Sequence, residues 1–349
     1  MSDERNFFSP YTQPTPYWII LEGAEAKAAS RLGAKELHRK SGIYGMLAGA
    51  DWAPKWNDLA EQCVPIHPSS NMRAALIAAE EAPSLQEIEL SLRPVHELHA
   101  IARNLWLANY INDGRLVCYM QPVLDRRHKQ IGHEAFARME APNGALIGGG
   151  AIMQASHALH MEYQVDRLMH KQAIECFVES DLEGVLFINF LTGFIHRPEV
   201  YLDGLSQAVE KHEILPRSIA LDVPLVDYAK DITKLKSIAQ YCHGRGFALS
   251  LDDVMTTEGL AGLLHDIRPA FVKLDARLAA DMLDPKRQSM VTEIIRLAHH
   301  AGASVLAEGV ESETLHNAYL AADVDMFQGY LFGAPERCPP LPRSKKRIG

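Results

Sequence analysis

From about residue 115, short apolar or β-branched runs alternate with longer stretches of helical periodicity, punctuated by Gly and Pro. The pattern predicts strands at 116–124, 131–139, 184–190, 218–223, 247–252, 271–275, 304–309 and 326–332. Helices fit between them at 155–178, 199–213, 228–244, 257–266, 286–301 and 312–321. The stretch 286–301 repeats Met290, Ile294, Ile295, Leu297 and Ala298 at helical spacing and stops at Gly302, a helix with its C-terminal signal. Alternation on this scale predicts a parallel sheet with helical crossovers, either a closed barrel or an open doubly wound sheet. The first two strands are joined by a short polar turn and should run antiparallel, which makes a barrel here a modified one.

The first hundred residues follow no such rhythm. "YWIILEG" (17–23) reads as a strand, 24–42 as a helix, "VPIHPSSN" (64–71) as a linker, and 84–111 as largely helical with a break near Pro94. The expected organisation is a small α/β or α-rich module of unknown role, putting sensing or regulation at residues 1–95. A connecting helix at 96–114, the barrel at 115–337 and a flexible basic tail at 338–349 follow.

Composition narrows the function classes. Hydrophobic residues at 47% and charged ones at 23% describe an ordinary globular chain of 349 residues. A net charge of −9 argues against coating a DNA or RNA duplex, which needs an excess of Lys and Arg. Five scattered cysteines form no CxxC, so neither a disulfide framework nor a thiolate zinc site is expected, and reduced thiols fit a cytoplasmic setting. No apolar run is long enough for a membrane span.

The chemistry lies in where the polar residues fall. Glu134 sits in the second strand, and Asn189 and Asp222 end "FIN" and "IALD". Asp252 and Asp253 end "LSLDD", Lys273 and Asp275 lie in "FVKLD", Glu308 ends "VLAE", and Gln328 follows "MF". Taken singly, each has a plain reading; Asp253 serves as well for a helix N-cap as for a ligand. Together they gather acids and amides at strand ends, where α/β folds mount their active residues. Oxygen-only donors suit Mg²⁺ or Mn²⁺ rather than zinc.

The motifs "YMQPVL", "GHEAFAR", "INF", "LDV", "LDDVMTT", "VKLD", "AEGVES" and "QGYLFGAP" occur in the order and spacing of the EAL domain family, which this chain resembles over 115–336. That resemblance implies a modified TIM (β/α)8 barrel, a homodimer, and hydrolysis of cyclic-di-GMP to pGpG with two Mg²⁺ or Mn²⁺ ions. It assigns Glu134, Asn189, Asp222 and Asp252 to the first ion, and Asp252 with Asp253 to the second. Lys273 orients the nucleophilic water. Glu308 is a general base or second-ion contact, Gln328 lines the site, and Arg138 binds phosphate. Gln121, Asp166 and Pro335 match substrate-pocket positions more weakly.

Four departures stand out. Phe136 replaces leucine in the name-giving motif, which should alter packing more than chemistry. Asp222 stands where the family has glutamate, shortening the reach by roughly one C–C bond, ~1.5 Å. Leu225 replaces a second acid. The loop "VMTT" lacks both family glycines; if those positions need φ > 0, a β-branched Thr257 would cost on the order of 1–2 kcal/mol there, so another path is expected. These changes leave two readings open, a phosphodiesterase with attenuated turnover and a cyclic-di-GMP receptor that signals without cleaving. The near-complete ligand set argues against a module that has lost the nucleotide.

Overall fold

The structure, a computed structural model, describes residues 11, 15–23, 30, 32–37, 42–62, 67, 70–190, 192, 197–225, 231–284 and 287–338. The chain divides into two compact units, Met1–Leu116 with Met139–Glu162, and Val117–Arg138 with Tyr163–Gly349.

The first unit is built on a five-stranded antiparallel sheet of β1 (Tyr17–Glu22), β2 (Lys35–Glu36), β3 (Ile43–Gly49), β4 (Arg73–Ala78) and β5 (Arg93–Pro94), in the order β2-β3-β1-β4-β5. Ile20, Ile43, Ala75 and Ile88 pack one buried cluster against it. The helices are α1 (Ala53–Gln62), α2 (Leu85–Ser91), α3 (Val95–Asn104), α4 (Trp106–Asn112) and α5 (Gly149–Ala158), with α3 against both α1 and α5. Ser84 and Glu87 close a capping box at the start of α2. The expected strand at 17–23 and the break near Pro94 are present. The expected helix at 24–42 is not supported where that stretch is described: residues 35–36 form β2, because their backbone pairs with Tyr44 and Gly45 of β3. Most of the rest of it lies outside the described residues, as do most of the 64–71 linker and the tail beyond Cys338.

The second unit is the barrel. Its strands are β6 (Leu116–Asp125), β7 (Gln130–Glu140), β9 (Val185–Asn189), β10 (Ile219–Pro224), β11 (Ala248–Val254), β12 (Phe271–Leu274), β13 (Ser304–Ala307) and β14 (Met326–Phe327), with short β15 (Glu336–Arg337) at the end, while short β8 (Leu146–Gly148) falls within the first unit. Seven strands run parallel from β7 round to β14, and β6 closes the ring by pairing with β7 on one side and antiparallel with β14 on the other. The β6–β7 hairpin turns at 126–129, where the Asp125 amide donates to the Lys129 carbonyl at 2.9 Å, so the antiparallel first pair is as expected. Helices α6 (Glu162–Glu179), α7 (Pro198–Lys211), α8 (Ile232–Arg245), α9 (Leu260–Ile267), α10 (Ala279–Leu283), α11 (Gln288–His300) and α12 (Glu313–Ala321) supply the crossovers, and their apolar faces share one core with the outer faces of the strands.

Three boundaries differ from expectation. The helix expected at 155–178 is two, α5 and α6, separated by a turn with His160 at φ 53°. The strands expected at 304–309 and 326–332 stop at Ala307 and Phe327. There the chain leaves the ladder to cross-link loops: the Val310 amide donates to the Gln328 carbonyl at 3.0 Å, and Leu331 donates to Val310 at 3.1 Å. Gly329 permits this approach, since a Cβ on it would lie 2.2 Å from the Val310 carbonyl oxygen.

The cysteines also depart from expectation. Cys176 of α6 and Cys338 after β15 are joined as a disulfide, with Cα atoms 6.1 Å apart. Their separation of 162 residues hides the pairing from the sequence. Cys118 and Cys242 are free and buried. No described helix is long and apolar enough to cross a membrane.

Candidate active site

The barrel interior is organised by the two-residue period of its strands. Val123, Phe187, Ala220, Leu306 and Met326 point inward and form an apolar plug, with Ala248 and Phe271 packed against it. Two residues further along the parallel strands, on the same face, the side chains become polar: Asn189 above Phe187, Asp222 above Ala220, Lys273 above Phe271, Glu308 above Leu306 and Gln328 above Met326. β6 runs the other way, so Gln121 takes the corresponding place above Val123. One step of alternation therefore turns a packed core into a site.

Lys273 stands at the centre, with only 1% of its side chain exposed. Its Nζ lies 2.7 Å from Glu308 Oε1, 3.1 Å from Glu134 Oε2, 3.1 Å from Asp222 Oδ2 and 3.4 Å from Asp252 Oδ1. Burial by itself would pull this ammonium down, but Asp222, Glu134, Glu308 and Asp252 outweigh it and hold the group well above its usual value. The carboxylates feel the opposite balance. Burial pushes Asp222 up to about 7 and Glu308 up to about 8, with Lys273 only partly offsetting it and the neighbouring acids adding to it. Asn189 is register partner to Asp222 across β9 and β10, and its Nδ2 approaches Glu134 Oε1 at 3.5 Å.

Two adjacent acids in a regular strand would face opposite sides of the sheet. The β11–β12 register solves this with a bulge: Leu251 pairs with Val272 but Val254 pairs with Leu274, so one extra residue is accommodated at Asp252–Asp253. Asp253 takes φ 56°, a left-handed conformation that aspartate tolerates better than most residues. Its amide donates to Asp252 Oδ1 at 2.9 Å. Asp252 is buried and Asp253 exposed, and the carboxyl of Asp253 is hydrogen-bonded to that of Asp275. Burial, then the charges of Asp252 and Asp275, push Asp253 up. In the loop after the acids Met255 and Thr257 keep ordinary φ, and the next left-handed residue is Gly259, at φ 68°.

Gln328 Nε2 donates to Gln121 Oε1 at 3.1 Å, and Gln121 Nε2 donates to the Gly333 carbonyl at 2.9 Å, close in sequence to half-buried Pro335. Arg138, half-buried, lies over the Phe136 ring at 5.4 Å and donates to the Ala137 carbonyl, so the aromatic departure makes a shelf for the guanidinium. Asp166 is not in this group. It is buried in α6 with neither oxygen hydrogen-bonded, 3.6 Å from His170 Nε2, and that nitrogen lies 2.9 Å from the Asn189 carbonyl oxygen. Sequence reasoning counted Asp275 among the strand-end acids without a role of its own and did not single out His170 or Arg277; Asp275 and Arg277 share an ion pair at the end of β12.

The donor set fits a divalent cation. It is all oxygen, four acids surround one ammonium, and Asp222 Oδ1 is buried without a hydrogen bond. Among the described residues no three His, Cys, Asp or Glu groups converge on a common ligand point. The ammonium holds that centre, and a cation must draw the carboxylates off it.

Comparison with known proteins bears on the family and the fold. A probable cyclic di-GMP phosphodiesterase of Escherichia coli (strain K12), PdeG, is 26% identical over 237 residues, covering 66% of this chain and 46% of that one. The chain thus spans less than half the length of that relative. The fold matches the EAL domain of Xanthomonas citri FimX, solved with c-diGMP, at 19% identity and a TM-score of 0.63, over 71% of this chain and 98% of that one. A standalone EAL protein of Vibrio cholerae O395, solved in its c-di-GMP-bound form, is 26% identical with a TM-score of 0.56, over 63% and 92% of the two chains. The model of the EAL domain itself matches residues 104–335, well over half of the sequence, and the chain belongs to the EAL domain family.

Proposed function

We propose that the barrel hydrolyses cyclic-di-GMP to pGpG at the C-terminal ends of its parallel strands, using divalent cations held by Glu134, Asn189, Asp222, Asp252 and Asp253. The observation that carries this reading is the buried cluster of Glu134, Asp222, Asp252 and Glu308 around Lys273. A purely structural role would not gather four acids around one cation, because the uncompensated buried charge is destabilising. Bound Mg²⁺ or Mn²⁺ would neutralise the phosphate oxygens and stabilise charge on the leaving oxygen. Burial raises the proton affinity of Glu308, which suits it to act as a general base. Lys273 fixes the orientation of the acids and would hold a water by hydrogen bonding once they turn to a cation. Arg138, on its aromatic shelf, presents a guanidinium fork to phosphate, and Gln121 and Gln328 offer amides to the nucleotide.

A second reading, a receptor that binds without cleaving, is favoured by the short Asp222 side chain and by the ammonium at the centre of the acids. Purified protein incubated with cyclic-di-GMP and Mn²⁺ or Mg²⁺ separates the two. Metal-dependent pGpG formation, lost in Glu134→Ala, is the expected result. Tight binding with no turnover in either metal would favour the receptor, and no binding would remove both.

A further inference from the structure

Asp275 closes β12 and caps the 3-10 turn Ala276–Leu278, accepting the Arg277 amide at 2.7 Å. Arg277 also folds its guanidinium back onto the same carboxylate. Its Nε lies 2.8 Å from Oδ1 and 3.0 Å from Oδ2, and Nη2 pairs closely with Oδ2. The other flank of Asp275 meets Asp253, and the Arg277 charge acts on Asp253 as well. The outer acids of the site are therefore a carboxyl pair that already holds a cation supplied by the chain. The inner acids are served by Lys273, which is buried on β12, and no described ion pair joins Arg277 to them.

A divalent ion seated between Asp252 and Asp253 would meet this guanidinium across Asp275. It gains the carboxylates and loses part of that gain to repulsion from Arg277. We infer that Arg277 is the resident counter-cation of the Asp253–Asp275 pair and sets how strongly the second divalent cation binds. The inference rests on the phosphodiesterase reading of the site. Its consequence is ordered occupation: the inner cation binds first, and the outer one binds only at higher concentration. The Arg277 side chain is 68% exposed, so solvent screens the repulsion. The expected effect of removing it is on the order of tenfold in the outer affinity rather than thousands-fold.

The test is a Mn²⁺ titration of the full chain, followed by calorimetry and by the electron paramagnetic resonance signal of free Mn²⁺. Wild type is compared with Arg277→Gln, which removes the charge, and Arg277→Lys, which keeps it without the fork. The Asp275 cap survives in both, because it is made to the backbone amide. Wild type should bind one Mn²⁺ tightly and a second at least tenfold more weakly. Arg277→Gln should tighten the second about tenfold and leave the first unchanged, while Arg277→Lys should stay near wild type. A normal first site with a second site unmoved or weakened in Arg277→Gln overturns the inference and leaves the phosphodiesterase reading standing. No Mn²⁺ bound by any of the three overturns both.

Discussion

Replacing Lys273 by Met removes the one cation that four acids share while keeping most of the side-chain volume. At an effective dielectric of ~20, each contact near 3.1 Å is an attraction of about 5 kcal/mol, opposed by the desolvation of the ammonium and by repulsion among the acids. Removing one member of a buried ion cluster costs about 3–5 kcal/mol net. At about 2–4 °C per kcal/mol for a body of this size, the cation-free variant should melt about 6–20 °C below wild type at pH 8. The loss should shrink toward pH 5, because the abandoned acids can then take up protons instead of facing each other charged.

The same variant makes a second demand. If the centre of the cluster is a cation position, Mn²⁺ should restore more stability to Lys273→Met than it adds to wild type, where it must first displace the ammonium's hold on the carboxylates. Differential scanning fluorimetry at pH 5 and pH 8, with and without Mn²⁺, reads both effects. A melting temperature within about 2 °C of wild type at pH 8 would show that the four contacts are not stabilising in the way argued. Equal Mn²⁺ gains in the two proteins would remove the cation position from the centre.

Three further outcomes follow. Asp222 and Glu308 have folded-state values of about 7 and about 8, above those of the unfolded chain, so the native state binds more protons than the unfolded one. Their contribution is fully present below about pH 4 and is lost as pH rises to about 8; cation-free protein should unfold at lower urea at pH 8 than at pH 5.5, whereas Mn²⁺ affinity should rise across the same window. Phe136→Leu removes the ring beneath Arg138, and at ~0.5–1 kcal/mol for an accessible cation–π contact, isothermal titration should give about two- to fivefold weaker cyclic-di-GMP binding with the melting temperature little changed. Peptide mapping without reductant should recover Cys176 linked to Cys338, and reduction should lower stability by about 2–4 kcal/mol in denaturant melts.

The barrel and most of its candidate site were legible for one reason. In "FIN", "IALD", "FVKLD", "VLAE" and "MFQ" the two-residue period carries both the apolar plug and the polar layer above it, so reading the strands also read the site. The first unit had no such redundancy. "IYGMLAG" is interrupted by Gly45 and Gly49, and "RAALIA" is alanine-rich, yet both are strands because they pair on either side of β1. Asp166 was grouped with the pocket on motif alone, and the structure sets it in α6 against His170. The disulfide and the Asp275–Arg277 fork depend on how distant or folded-back side chains meet, which no local pattern records.

The pair Asp252–Asp253 shows how a cross-strand register decides what a local motif means. Strand alternation would send one acid inward and the other out, and no glycine follows to relieve it. The bulge between Leu251 and Val254 places the left-handed residue at Asp253 itself, and Gly259 takes the next one at the start of α9. Met255 and Thr257 are then free to occupy ordinary backbone, so the missing glycines alter the loop beyond the acids rather than their presentation. What distinguishes this site chemically is therefore not "VMTT". It is the reach of Asp222, one methylene short and held 3.1 Å from Lys273, together with the guanidinium that Asp275 keeps beside Asp253. Lengthening the first in Asp222→Glu should tighten an inner Mn²⁺ and neutralising the second in Arg277→Gln an outer one; because Asp252 would serve both, the double variant should depart from the sum of the two single effects in a Mn²⁺ titration.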